Sequence, residues 1–221
     1  MTEDVLSIPN PNHDYYGKRF GYIANSKIKS AGTVIAFTKE MVLETQRCRK
    51  DIVYFAQTYY KIVHQDLGFI KIQLRDYQIN CLEDFTEKRF NIAKWPRQSG
   101  KSTTFAVWVC HYILFNKHKE VVILANKERH SKELLKRIKI AYQELPFWLQ
   151  SGVIQWNKLG IQLENGCRVS AASTSTDTIR GETVGVLIVD ESIYKNSMLT
   201  VRNKETGEIK QITIGDLFEE L

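Results

Sequence analysis

Trp95-Pro96-Arg97-Gln98-Ser99-Gly100-Lys101-Ser102-Thr103 is the stretch that decides how the chain is read. An apolar run, Phe90-Asn91-Ile92-Ala93-Lys94, precedes it, and a helical period runs from Gly100 to about Asn116. Strand, loop and helix around Gly-Lys-Ser is the context in which that tripeptide binds phosphate. Loop N–H groups at a helix N-terminus face the anion, Gly100 lets the backbone come close, and Lys101 sets a cation against the β- and γ-phosphates. Ser102 is the candidate hydroxyl ligand for Mg²⁺. Trp95 stands where such loops usually carry their first glycine.

Downstream, Val184-Gly185-Val186-Leu187-Ile188-Val189 is unbroken apolar chain ending in Asp190-Glu191. Such a run predicts a strand covered on both faces at the centre of a sheet. Asp190 is then the candidate metal ligand, and Glu191 the candidate base for the attacking water. Between the two motifs come a strand at 121–125, a helix at 131–145, and a hairpin turning on Asn165-Gly166, where both turn positions want positive φ. The alternation predicts an α/β fold with a mainly parallel sheet and flanking helices.

Upstream, residues 1–36 show no sustained period and read as a loosely structured arm. A helical pattern spans Phe37 to Gln65, and a second runs from Arg75 to Lys88. Leu74-Arg75-Asp76-Tyr77-Gln78 resembles an adenine-reading segment, since a Gln amide matches the adenine N6/N7 edge and Tyr77 offers a ring to stack; an ordinary helix start reads the same way. Arg97 and Arg180 are the candidate cations for charge developing on the γ-phosphate.

Composition narrows the class. With 43% hydrophobic and 25% charged residues among 221, the chain is built to bury a core. No run approaches the length of a membrane span, and the acidic N-terminus lacks the features of a signal peptide, so a cytoplasmic location with no membrane partner is expected. Cys48, Cys81, Cys110 and Cys167 are scattered, which predicts reduced thiols and neither zinc nor disulfides. A net charge of +6 permits a polyanionic partner without requiring one.

The block from Gln73 to Glu191 closely resembles the ATPase domain of the large terminase subunit of T-even-type tailed phages, through LRDYQ, RQSGKST, ILFNKHKEVVILANK, LPFWLQSGVIQWNKLGIQLENG and STDTIRGETVGVLIVDES. The resemblance implies a P-loop NTPase that hydrolyses ATP with Mg²⁺ to drive DNA into proheads. It implies a nucleotide site of Tyr77, Gln78, Arg97, Gln98, Ser99, Gly100, Lys101, Ser102 and Thr103, with Ser102 and Asp190 on the metal. Glu191, Arg97 and Arg180 take the catalytic roles. The implied partners are the prohead portal, the small terminase subunit and double-stranded DNA, with the motor docked on the portal in the host cytoplasm. A helicase-like ATPase fragment and a non-catalytic nucleotide-binding module are the alternatives.

From Ser192 onward the chain resembles the N-terminal half of an atypically split intein, so the ATPase domain at 37–191 reads as incomplete at its C-terminus, with a short β-rich intein fragment at 192–221. Two strand-like runs, Met198 to Arg202 and Ile209 to Ile214, support a hairpin there. The implied chemistry is attack of Ser192 Oγ on the Glu191 carbonyl: the amide C–N bond breaks, an ester forms, and the freed Ser192 amine takes up the proton that Oγ gives up. A C-terminal terminase and intein fragment would supply the second nucleophile. Until it does, ATP turnover is expected to be weak or absent.

Overall fold

The computed structural model describes residues 21–23, 25–96, 98–125, 127–173, 184–190, 198–202 and 209–213. In chain order, β1 (Gly21–Tyr22) pairs with β2 (Asn25–Lys29), and helices α1 (Lys39–Lys50) and α2 (Ile52–Tyr59) follow. β3 (Lys61–His64) and β4 (Gly68–Lys71) form a hairpin that leads into α3 (Asp76–Glu87) and α4 (Lys101–Phe115). Next come β5 (Glu120–Ala125), α5 (Glu128–Gln143), β6 (Val153–Asn157), β7 (Gly160–Leu163), β8 (Arg168–Ser173) and β9 (Val186–Asp190). Finally, β10 (Met198–Arg202) and β11 (Ile209–Thr213) pair in a two-stranded sheet of their own, where the sequence predicts a hairpin.

The central sheet has the order β6-β7-β8-β5-β9. It is mixed where a mainly parallel one is expected: β8, β5 and β9 run parallel, while β6, β7 and β8 are antiparallel. Two tight reversals cause this. At Asn157, Oδ1 accepts the N–H groups of Leu159 and Gly160, both at 2.9 Å, and folds β6 onto β7. At Asn165-Gly166 the expected hairpin joins β7 to β8, yet of those two residues only Gly166 has positive φ (81°). Gly166 N–H bonds Leu163 O and Leu163 N–H bonds Cys167 O, the pattern of a three-residue loop with a left-handed third residue.

The fully buried central strand is β5, flanked on both sides, with Val121, Val122, Ile123, Leu124 and Ala125 all buried. β9, expected at the centre, is the edge of the described sheet, and its Leu187 is 51% exposed. Two apolar runs of similar length carry no information about which has two neighbours. Residues alternate between a large core containing Val121, Ile123, Val169 and Ile188 and a small cluster of Val122, Leu124 and Ala172 on the other face. Buried side chains of α4 and α5, among them Val107, Cys110, Leu134 and Ile138, belong to the large core.

Three further expectations are corrected. The single helix from Phe37 to Gln65 is broken at Asp51, whose extended backbone ends α1 while its carboxylate accepts the Tyr54 N–H at 2.8 Å to start α2. It stops at Tyr59 because Lys61-Ile62-Val63-His64 favours extended pairing and Gly68, at φ 69°, allows the return strand. Phe90 to Lys94 is not a strand; it has no partner among the described residues, and Phe90 and Ile92 are 71% and 61% exposed. Residues 25–32 are not loose. Ile28 is buried, and Gln150 acts as a substitute strand edge, accepting from Lys29 N–H and donating to Lys27 O, both at 2.9 Å.

Burial explains the thiols. All four cysteines are free; burial pushes the Cys48 thiol up to about 12 and Cys81 up to about 11, and raises Cys110 and Cys167 as well. Among the described residues no helix is long and apolar enough to cross a membrane.

Candidate nucleotide site

Gly100 is the N-cap of α4 at φ 86°, and no described side chain caps the helix. Gln98, at φ 61°, also lies in the left-handed region. Two such residues within three positions curl the chain into a loop that ends on the donor-rich end of a helix. The loop is held from outside: Ser99 Oγ donates to Pro96 O at 2.7 Å, and Tyr77 OH donates to Ser99 O at 2.8 Å. Trp95, in the position of the missing glycine, meets the Tyr77 ring edge-to-face at 5.0 Å. An aromatic brace thus stands where a more flexible residue would leave the loop free.

The register of the parallel strands brings Asp190 level with Ala125, and Ala125 level with Ser173, so the strands end together at their carboxyl edge. There Lys101 Nζ lies 3.1 Å from Asp190 Oδ1, with the Asp190 side chain 8% exposed and Lys101 28%. The two groups are close but not aligned, and Asp190 Oδ1 is buried without a directional hydrogen bond. The Lys101 ammonium is the cation that balances this buried carboxylate here. With a nucleotide bound, Lys101 would turn to the phosphates and Asp190 would hold a divalent cation in its place, so the residues present fit Mg²⁺ with a triphosphate. Ser102 and Thr103 follow in the first turn of α4, both partly exposed.

The site residues read from the sequence divide into two sets. Tyr77, Gln78, Gln98, Ser99, Gly100, Lys101, Ser102, Thr103 and Asp190 are described: α3, the loop and the first turn of α4 meet, and Lys101 joins them to Asp190. Arg97, Arg180, Glu191 and Ser192 lie outside the described residues. Two contributors escaped sequence reasoning. Thr104 is buried and accepts from Gln78 Nε2 at 3.0 Å, and Trp95 packs on Tyr77. The signal for the first was present in the position of Gln78, three residues after Arg75, the N-cap of α3, where a Gln turns back to cap its own helix.

The sequence model described as "Terminase large subunit, T4likevirus-type, N-terminal" matches residues 92–203, just over half of the chain. The chain belongs to this family. Among solved structures it is similar to the crystal structure of the HK97 bacteriophage large terminase, with a TM-score of 0.52 at 14% identity. That likeness speaks for the fold alone. It covers 65% of this chain and 31% of the HK97 chain, so the chain spans about a third of that terminase's length. Family membership bears out the terminase resemblance and removes the helicase-like alternative. The matched segment also runs past Ser192 to residue 203, through the boundary at which the sequence resemblance divides terminase from intein.

Proposed function

We propose that this chain is the ATP-binding part of a phage DNA-packaging motor, hydrolysing ATP at a site between α4 and the carboxyl edge of the parallel strands. The observation that carries this reading is the 3.1 Å approach of Lys101 to a buried, incompletely bonded Asp190 across two separate elements. Lys101 binds the β- and γ-phosphates, the open N–H groups of the first turn of α4 hold the β-phosphate, and Ser102 and Asp190 hold Mg²⁺. Bound there, the ion neutralises charge on the phosphates. Glu191 orients and deprotonates the attacking water, and Arg97 and Arg180 meet the charge that develops on the transferred phosphoryl group. Photo-crosslinking with an azido-ATP and peptide mapping tests the placement: label is expected between Tyr77 and Thr103 and is displaced by excess ATP, whereas label elsewhere, or label that ATP does not displace, contradicts it.

Double-stranded DNA is the proposed polyanionic partner, with the prohead portal and the small terminase subunit as protein partners of a motor docked in the host cytoplasm. In support, Arg129, Lys132 and Lys136 recur at three- and four-residue steps along α5, with Lys132 also paired to Glu128.

A second reading adds trans-splicing at Ser192 to a C-terminal partner, with turnover weak until ligation. It draws support from the separate β10–β11 pair, and the family match that continues to residue 203 weighs against it. Mixing the chain with a partner fragment and weighing the products decides it. A ligated mass that disappears with Ser192→Ala upholds splicing, and unchanged masses under reducing conditions dismiss it.

A further inference from the structure

The positive charge of the chain is concentrated on α5. That helix carries five cations, Arg129, Lys132, Lys136, Arg137 and Lys139, against the two carboxylates of Glu128 and Glu133, in a chain whose net charge is +6. Its last turn holds no cation, so the helix macrodipole does not account for this charge. One face of α5 packs into the large core through Leu134, Leu135, Ile138 and Tyr142, and Arg129, Lys136 and Arg137 are exposed away from it.

The turn between β6 and β7 extends this surface. Lys139 Nζ donates to the Asn157 carbonyl and lies 5.1 Å from the centre of the Trp156 ring, so it ties the turn to α5. The Asn157 side chain fixes the turn itself through the Leu159 and Gly160 N–H groups. The residue between, Lys158, is exposed. Lys132 is paired with Glu128 at 3.0 Å, whereas Lys136 and Lys158 meet no carboxylate among the described residues. Two open cations thus stand on separate elements that a third cation holds together.

The chemistry of this surface selects its partner. Arg129, Lys132 and Lys136 span about 10 Å of helix axis, over which one strand of a duplex presents about three phosphates. Single-strand binders add open aromatic rings on which bases stack. Here the aromatic residue at the turn, Trp156, is partly buried against the core, with Lys139 on its ring and the Tyr142 ring at 5.8 Å. We propose that α5 and the β6–β7 turn form one surface for the phosphate backbone of double-stranded DNA, with Lys136 and Lys158 in contact and Lys139 as the residue that positions Lys158. The proposal rests on the reading of DNA as the polyanionic partner given above, and adds where the duplex lies and that its sequence is not read there.

The test is fluorescence anisotropy of the full chain with two labelled duplexes of unrelated sequence and a single strand of the same length, over a series of salt concentrations. Lys136→Ala and Lys158→Ala are each expected to lower the slope of log affinity against log salt by about one, and to weaken both duplexes by one common factor of about three- to tenfold. Lys139→Met loses as much as Lys158→Ala, and the two together lose no more than either alone. Lys88→Ala, on α3 and paired with Asp84 at 2.7 Å, keeps the wild-type slope. An unchanged slope in Lys158→Ala, losses that multiply in the double variant, or tighter binding of the single strand overturns the proposal. Failure of the underlying reading looks different: wild type then binds neither duplex at any salt concentration, and the DNA partner and this surface fall together.

Discussion

The two ends of α4 are finished in opposite ways. At its C-terminus the structure leaves little unsatisfied: Asn165 Nδ2 donates to Ile113 O at 2.7 Å and Asn116 O at 3.0 Å, and the Asn116 N–H and side-chain amide both bond Tyr112 O. At its N-terminus Gly100 supplies no side-chain cap, where Ser, Asp or Asn would add about a few tenths of a kcal/mol. Both ends also rest against a glycine with positive φ, Gly166 and Gly100, and each glycine has a side chain pressed on it, His118 and Gln78. On the proposed nucleotide reading the difference separates structure from function: acceptors that need only stability are closed by the protein, while among the described residues no side chain caps the end assigned to the phosphates. Gly166 belongs to the first kind of site and Gly100 to the second.

That contrast can be broken by substitution. Lys101→Ala should reduce ATP binding and any hydrolysis by at least about a hundredfold and lower the thermal midpoint by only about a few degrees, the cost of leaving the buried Asp190 without its ion-pair partner. Calorimetric titration and a melting curve check it together; retained binding would mean that the open end of α4 does not serve phosphate. Gly166→Ala should do the reverse. A Cβ there would collide with His118 Nδ1 at a φ that L-residues resist, so a loss of about 1–3 kcal/mol in denaturant unfolding is expected, with ATP affinity of the folded fraction unchanged. Asn165→Ala should cost about 1–2 kcal/mol by exposing the α4 carbonyls, again without effect on nucleotide. An affinity change in either hairpin variant would show that the two ends of the helix are coupled.

How much could be read in advance followed the range of the forces involved. The loop and helix start at Gly100-Lys101-Ser102 were legible because they are local: a glycine at positive φ followed directly by a helical period. Asp190 was legible as the polar end of an apolar run, and Asn165-Gly166 as a turn. Sheet order was not, because nothing within Val186-Leu187-Ile188-Val189 says whether one or two strands lie beside it. Phe90 to Lys94 has the composition of a strand, but pairing makes a strand and the described sheet does not take this one up. The Gln78 amide closes the first turn of α3 and bonds Thr104, and only the first of these contacts is local enough to read in advance. Residues 25–32 were misjudged because their main support, Gln150 and Glu164, lies far along the chain.

The central claim is that Lys101 and Asp190 share one magnesium-bound triphosphate. Titrating the chain with a non-hydrolysable ATP analogue, with and without Mg²⁺, in wild type and Asp190→Asn, addresses it most directly. The predicted result is that Mg²⁺ tightens binding in wild type by about tenfold or more and has no effect on the variant. Binding in wild type that ignores Mg²⁺, or a variant that responds to it as wild type does, would contradict the account.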